Sequence, residues 1–273
     1  MNEMQLSQKE YELIGGLIYD KFGISLNEQK QTLITGRLQN VLQQGGFTSF
    51  KDYYQYVAGE TSGSALLTLI DRISTNHTYF FREKDHFGFI KETLLPQIVK
   101  PLERNNEKEF KIWCAGCSSG EEPYTAAMVI SESISQGSIF YILATDISVS
   151  SLDKAIRGNY TKEQLETVPP SYRQKYFVSV GDGVWTIHQN LKNKVLFRRL
   201  NLIQDSYPFK GKFDVIFCRN VMIYFDSPTR RSLLERFHRY LEPDGYLFIG
   251  HTETIDRSLG VFSYVKPAIY QKI

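Results

Sequence analysis

The chain has 273 residues, of which 42% are hydrophobic and 23% charged, and its formal net charge is +2. That length supports one large or two modest domains around a substantial core, and the composition is that of an ordinary globular protein. The near-neutral charge offers no global field for nucleic acid, no apolar run approaches the roughly 18 residues of a membrane span, and three cysteines do not make a disulfide scaffold. The N-terminus, MNEMQLSQKEYE, lacks a signal-peptide core, so a cytoplasmic location is expected.

Residues 1 to about 75 predict helices only. Ser7 with Glu10 fits a capping box, Tyr11, Ile14, Leu17, Ile18 and Phe22 follow at helical spacing, and Gly23 suits the stop. A second helix is predicted from about Asn27 to Gln43, with Ile34, Leu38, Val41 and Leu42 on one face and Gly45-Gly46 ending it. Ser49 with Asp52 opens a short aromatic helix, Phe50 to Val57, and Ser62-Gly63-Ser64 separates a fourth, Ala65 to Ile73. A connecting region, 84–109, holds an amphipathic helix from Phe87 to Val99 and the charged stretch Glu103 to Glu109.

From residue 110 strands and helices alternate, which implies a parallel sheet covered on both faces, with ligands at the carboxyl ends of its strands. Predicted strands are 110–114, Ser138 to Ala144, Val195 to Leu200, Phe213 to Cys218 and Tyr246 to Ile249. Predicted helices follow Pro123, span Ser148 to Arg157, and run from Ser227-Pro228 to Tyr240. Residues 261–273 close with a hairpin. Another hairpin, 176–188 around Gly181-Asp182-Gly183, stands where a crossover helix is expected and is read as a small β insertion at about 175–195.

Four segments carry chemistry. The turn Ala115-Gly116-Cys117-Ser118-Ser119-Gly120 lies between a strand and a helix opened by Glu121, Glu122 and Pro123. Such a turn lets a nucleotide-like ligand approach the backbone. Two carboxylates there repel a pyrophosphate, but they suit a cationic ligand or ribose hydroxyls, as in S-adenosylmethionine. Asp146 ends the next strand; it is either a ribose ligand or the N-cap of the following helix. After the strand 213–218, Arg219, Asn220 and Tyr224 are expected as exposed polar groups at the ligand edge, or as a loop capping the next helix. In 74–83, STNHTYFFRE, the polar Asn76, Thr78 and Arg82 interleave with aromatics; Phe80 and Phe81 read as core, and Arg82 can hold a carboxylate bidentately. Cys114 and Cys117 lack a second Cys/His pair and read as packing cysteines, and His77, His86, His188, His238 and His251 show no ligand spacing, so no metal is expected.

Together these segments resemble the CheR family, the chemotaxis receptor methyltransferases. The likeness rests on STNHTYFFRE at 74–83, WCAGCSSGEEPY at 113–124, ATDI at 144–147, NL at 201–202, FCRNVMIYF at 217–225 and GHTE at 250–253, and covers nearly the whole chain. It implies an all-α N-terminal domain (1–83), a connecting helix and linker (84–109), and a class I S-adenosylmethionine-dependent methyltransferase domain of Rossmann-like α/β fold (110–273) carrying the β-subdomain. It implies cofactor contacts from Asn76, Thr78, Arg82, Gly116, Glu122, Asp146, Asn201, Leu202, Arg219 and Asn220, with Asp146 at the ribose, Glu122 toward the methionyl ammonium, and Asn201 and Leu202 beside the adenine. Arg82 and Tyr224 would be the catalytic pair. The implied substrate is a glutamate carboxylate on a chemoreceptor's cytoplasmic helical bundle, docked by the N-terminal domain, and the co-product is S-adenosylhomocysteine. Two departures stand out. The second helix offers only Lys30 and Arg37 where better-known members are strongly basic, and the short turn at 181–183 speaks against binding a receptor's C-terminal tether peptide. A methyltransferase for another acceptor and a non-catalytic cofactor-binding module remain as alternatives.

Overall fold

The computed structural model describes residues 4–27, 30–97, 109–134 and 139–273. Of the predicted features, Val99, the charged stretch 103–108 and Ser138 lie outside the described residues.

Four helices come first: α1 (Gln8–Phe22), α2 (Gln31–Gly45), α3 (Phe50–Gly59) and α4 (Ser64–Ile73). The capping box of α1 is complete: Glu10 N–H donates to Ser7 Oγ, and Ser7 N–H to the Glu10 carboxylate at 3.0 Å. Gly23 ends the helix in the left-handed region. Ile14, Ile18, Ile34, Leu38, Phe50, Leu69 and Ile70 form its buried core. The second helix is described from Gln31, and its N-cap Lys30 makes no side-chain capping hydrogen bond. The connecting helix starts earlier than predicted, at Lys84, after Glu83 turns the backbone left-handed, and Ile90–Leu94 forms a π turn within it.

The strands are β1 (Phe110–Ala115), β2 (Phe140–Asp146), β3 (Asn159–Thr161), β4 (Phe177–Gly181), β5 (Val184–Ile187), β6 (Val195–Arg199), β7 (Phe213–Cys218), β8 (Leu241–Ile249), β9 (Phe262–Lys266) and β10 (Ile269–Lys272). Seven make one sheet in the order β6-β2-β1-β7-β8-β10-β9. The first five are mutually parallel, and β10 runs antiparallel to both neighbours. Alternation along β1 shows how both faces are filled. Phe110, Ile112 and Cys114 join a cluster with Phe87, Ile90, Met128 and Ile130, while Trp113 and Ala115 face Leu233, Leu234 and Phe237 of the helix Ser227–Tyr240.

The small sheet, in the order β3-β5-β4, lies between the helix Val149–Arg157 and β6, so it follows a crossover helix instead of replacing one. The predicted hairpin is present. Its third strand, Asn159–Thr161, is only three residues long and leaves no periodicity in the sequence. The N-terminal helices cover the carboxyl edge of the large sheet. Ile24 bridges to Phe225, Asn201 Nδ2 donates to Lys21 O at 2.7 Å, Tyr19 OH donates to Asp226 Oδ2 at 2.7 Å, and Ser150 N–H donates to Asp71 Oδ2 at 3.1 Å. The ligand edge is thus roofed by the helical layer.

Candidate active site

One pocket sits under that roof. All eleven residues expected from the sequence line it: Asn76, Thr78, Arg82, Gly116, Glu122, Asp146, Asn201, Leu202, Arg219, Asn220 and Tyr224.

The floor is the turn after β1. Gly116 and Cys117 N–H groups both donate to Thr145 O, tying the turn to the end of β2. Gly116 has φ +91°, and a Cβ there would meet Val221 Cγ2 at 2.4 Å. Glycine is therefore required twice over, by conformation and by the close approach of the β7 loop. Asp146 is 8% exposed; Ser118 N–H donates to Oδ2 at 2.7 Å and Ser148 N–H to Oδ1 at 2.9 Å. The carboxylate thereby fixes the glycine turn to β2, and each oxygen retains a lone pair for a ribose hydroxyl. Burial pushes its pKa up despite these donors. The N-cap reading of Asp146 falls to Ser148, whose Oγ accepts from Ser151 N–H.

Only one of the two helix-opening carboxylates belongs to the pocket. Glu121 is 1% exposed and turned inward, held by Ser119 Oγ at 3.0 and 2.8 Å. Glu122 lines the pocket. Pro123 occupies the third helical position, still within the turn whose N–H groups lack intrahelical partners.

Arg219 corrects an expectation. The sequence predicts an exposed group, but the Arg219 side chain is only 2% exposed and is engaged on three sides. Nε donates to Glu83 Oε2 at 3.0 Å, one terminal nitrogen donates to Glu122 Oε2 at 3.1 Å, and the other donates to Arg82 O. Its guanidinium also lies over the Phe87 ring at 5.4 Å. Burial pushes Glu122 up, with Arg219 pulling the other way. At Glu83 burial also acts upward, but Arg219 and the His251 N–H outweigh it and the net shift is downward. Arg219 is thus a strut joining the cofactor helix to the 82–83 loop rather than a free ligand for substrate.

Two further cations, Arg82 and Lys30, line the pocket. Arg82 donates to His77 O at 3.1 Å and lies over the Tyr79 ring at 5.7 Å; among the described residues no carboxylate pairs with it. Lys30 Nζ sits 5.1 Å from the centre of the Tyr224 ring, and burial lowers its pKa. Tyr224 is held through its backbone, its carbonyl accepting from Ser25 N–H at 2.9 Å. Asn201 spends both polar ends on structure: Nδ2 on Lys21 O, and Oδ1 on Ile203 N–H at 3.3 Å. Asn76 O accepts from Ser118 Oγ at 3.0 Å, so the first interdomain segment also grips the glycine turn.

Sequence reasoning missed Lys30 in the pocket lining and Glu83 and Glu253 among the groups that support it. Lys30 carries no motif. Glu83 and Glu253 close the segments 74–83 and 250–253 but look like surface charges in one dimension. The ligand-capable side chains of Glu83, His86 and His251 lie together, although their spacing gives no such sign. Both ring nitrogens of His86 are buried without hydrogen-bond partners, and burial drives its pKa down to about 3. The adjacent buried guanidinium of Arg219 disfavours a cation there. Cys114, Cys117 and Cys218 are buried free thiols, as packing cysteines should be.

A sheet of this order, with an acidic glycine turn at the carboxyl edge of its first strand, is that of a class I S-adenosylmethionine-dependent methyltransferase. The chain belongs to the CheR methyltransferase family: residues 76–270 match the family's S-adenosylmethionine-binding domain and residues 9–74 its all-alpha domain. It is 42% identical over 272 residues to the chemotaxis protein methyltransferase of Borreliella burgdorferi, covering 98% of this chain and 96% of that protein. It is 36% identical to chemotaxis protein methyltransferase 1 of Pseudomonas aeruginosa, covering 93% of each. It is 35% identical to the chemotaxis protein methyltransferase of Escherichia coli, covering 92% of this chain and 86% of that protein.

Proposed function

We infer that the protein transfers the methyl group of S-adenosylmethionine to glutamate side chains of chemoreceptors, forming methyl esters in chemotactic adaptation. The observation that carries this reading is the pairing of opposite chemistries in one pocket. Glu122 and Asp146 line it from the glycine turn and the end of β2, and two cations, Lys30 of the helical layer and Arg82 of the segment that follows that layer, line the same pocket. The first set suits an ammonium and ribose hydroxyls, the second an anionic acceptor. When bound, the cofactor supplies a methyl on a sulfonium, which leaves as a neutral thioether.

A glutamate carboxylate is already ionised near neutral pH, so the site needs no general base. None of the pocket residues acts as one in this reading. Among the described residues His77 is the only histidine lining the pocket, and the remaining work is alignment, which can supply up to roughly 7–11 kcal/mol in the best cases. Arg82 and Lys30 would hold the two carboxylate oxygens, and Tyr224 would set the angle of approach. Too tight a hold would stabilise the ground state and slow the reaction, so a partly exposed Arg82 is the better arrangement. The product ester is neutral, which releases it from the two cations and removes one negative charge from the receptor.

Residues 1–83 would dock the receptor bundle, with 84–109 as the connection and 110–273 as the catalytic domain, all in the cytoplasm. The short turn 181–183 speaks against a tether peptide at the small sheet. The test is transfer of labelled methyl groups to receptor cytoplasmic fragments, scored as base-labile methanol. Label on native glutamates supports the reading. Cofactor binding with no label on any receptor sinks it, and points to another acceptor or to a non-catalytic module.

A further inference from the structure

We propose, resting on the active-site reading above, that Glu253 is a positioning residue whose buried carboxylate holds the 219–224 loop in the conformation that presents Tyr224 to the acceptor. Glu253 ends the turn after β8, is 8% exposed, and does not line the pocket. Its carboxylate is satisfied by backbone. Oε2 accepts from Asn220 N–H at 2.9 Å and Gly250 N–H at 2.6 Å, and Oε1 accepts from Ile223 N–H at 3.2 Å. Hydrogen bonds to an ionised acceptor are the strong ones, and each of these donors needs an acceptor where water is excluded.

The loop does not reach this shape by default. Asn220 has φ +60°, a left-handed conformation that asparagine tolerates better than other residues with a Cβ but that its surroundings must still hold. Glu253 grips the chain on both sides of Val221, at Asn220 and at Ile223. Between these grips, Val221 packs over Gly116 of the cofactor turn. Beyond them, Tyr224 N–H donates to Val221 O at 3.2 Å, carrying the fixed geometry to the tyrosine. The same turn also reaches the 82–83 loop: His251 N–H donates to Glu83 Oε1 at 3.2 Å, and Glu83 accepts from Arg219. One turn outside the pocket therefore sets Tyr224 and the 82–83 loop relative to each other. The chemistry calls for a carboxylate. An amide oxygen could serve the Asn220 and Gly250 donors, but its NH2 would then face the Ile223 N–H.

The experiment compares wild type, Glu253→Gln and Glu253→Ala in kcat, in KM for a receptor fragment and in S-adenosylhomocysteine affinity by calorimetry, with thermal unfolding of each. A loop displaced by about an ångström predicts kcat down about 100-fold in Glu253→Ala and about 10-fold in Glu253→Gln, with a clearly smaller fall in cofactor affinity than in kcat. A folded variant with kcat within about twofold of wild type overturns the proposal, as do kcat and cofactor affinity falling in parallel with stability. Where Glu253→Ala does not fold, the isosteric Glu253→Gln carries the same test. Amide exchange at Asn220 and Ile223 gives a readout that needs no turnover. Protection in wild type and faster exchange in Glu253→Gln are expected, and unprotected amides in wild type overturn the proposal. A wild type that fails to label receptors but shows this protection refutes the receptor reading alone.

Discussion

Replacing Arg219 by methionine keeps most of the side chain's bulk and removes its charge. Glu83 and Glu122 then face each other's surroundings without the guanidinium that now bonds both, and Arg82 O loses its donor. Removing one partner of a buried ion pair typically costs about 3–5 kcal/mol, because a desolvated charge is left behind. For a chain of this size that corresponds to a fall in Tm of roughly 6–20 °C at about 2–4 °C per kcal/mol. The pH dependence gives a sharper test than the magnitude. Without Arg219 both carboxylates take up protons in the folded state at a higher pH than in the unfolded chain. The variant therefore gains stability, relative to wild type, as pH falls toward the ordinary carboxylate range. Arg219→Lys should rescue little, since one ammonium cannot reach three acceptors in three directions. Thermal and urea unfolding across that range read the effect. A stability gap under about 1 kcal/mol, or one that does not narrow on acidification, refutes the strut assignment.

Other outcomes follow from the same geometry. Gly116→Ala places a methyl 2.4 Å from Val221 Cγ2 at φ +91°, so cofactor affinity should fall at least about tenfold, and Val221→Ala should restore part of it. Calorimetry with S-adenosylhomocysteine decides this, and unchanged affinity would show that the turn can relax. His86 is held neutral by burial and by Arg219 despite Glu83 beside it, with a pKa of about 3 against an ordinary 6.5, and His251 stacks on its edge. Its folded pKa is depressed, so its contribution is complete above the unfolded value and is lost as pH falls. Between about pH 7 and pH 5 that loss is about 2 kcal/mol, and His86→Phe should escape it; equal acid sensitivity in the two proteins would exclude the group. Arg82→Ala should abolish receptor labelling, whereas near-normal rates would remove Arg82 from the mechanism. Lys30→Met should raise the receptor KM about tenfold with a smaller change in kcat, and an unchanged KM would confine Lys30 to packing against Tyr224.

Much of the site was legible in one dimension because its parts sit at element boundaries. Gly116, Glu122, Asp146 and Arg219 each lie where a strand gives way to a turn or helix, and such points of a parallel sheet converge on one edge. The orientation of each side chain was not legible. Glu121 and Glu122 are neighbours in sequence, yet one is buried against Ser119 and the other lines the pocket. Adjacent helical residues point about 100° apart, and only packing decides which faces the ligand. Arg219 looks exposed after an apolar strand until the helix from Lys84 and the turn at 250–253 close around it.

By itself the sequence determined the two-part layout, the main strands and helices outside the small sheet, the glycine turn that admits a nucleoside-like ligand and the acidic residues that disfavour a phosphate. These are local properties: hydrophobic period, capping chemistry and the backbone freedom of glycine act within a few residues. The tertiary structure decided which carboxylates serve the ligand and which serve the fold. It placed Lys30 of the helical layer against Tyr224 of the catalytic domain, 194 positions apart by number (224 less 30). It also set Glu83 and Glu253 behind the pocket, bonded to Arg219 and to the 219–224 loop that line it. The physical reason is that a buried charge is tolerated only where partners surround it, and those partners come from segments that meet only when the sheet is assembled and roofed.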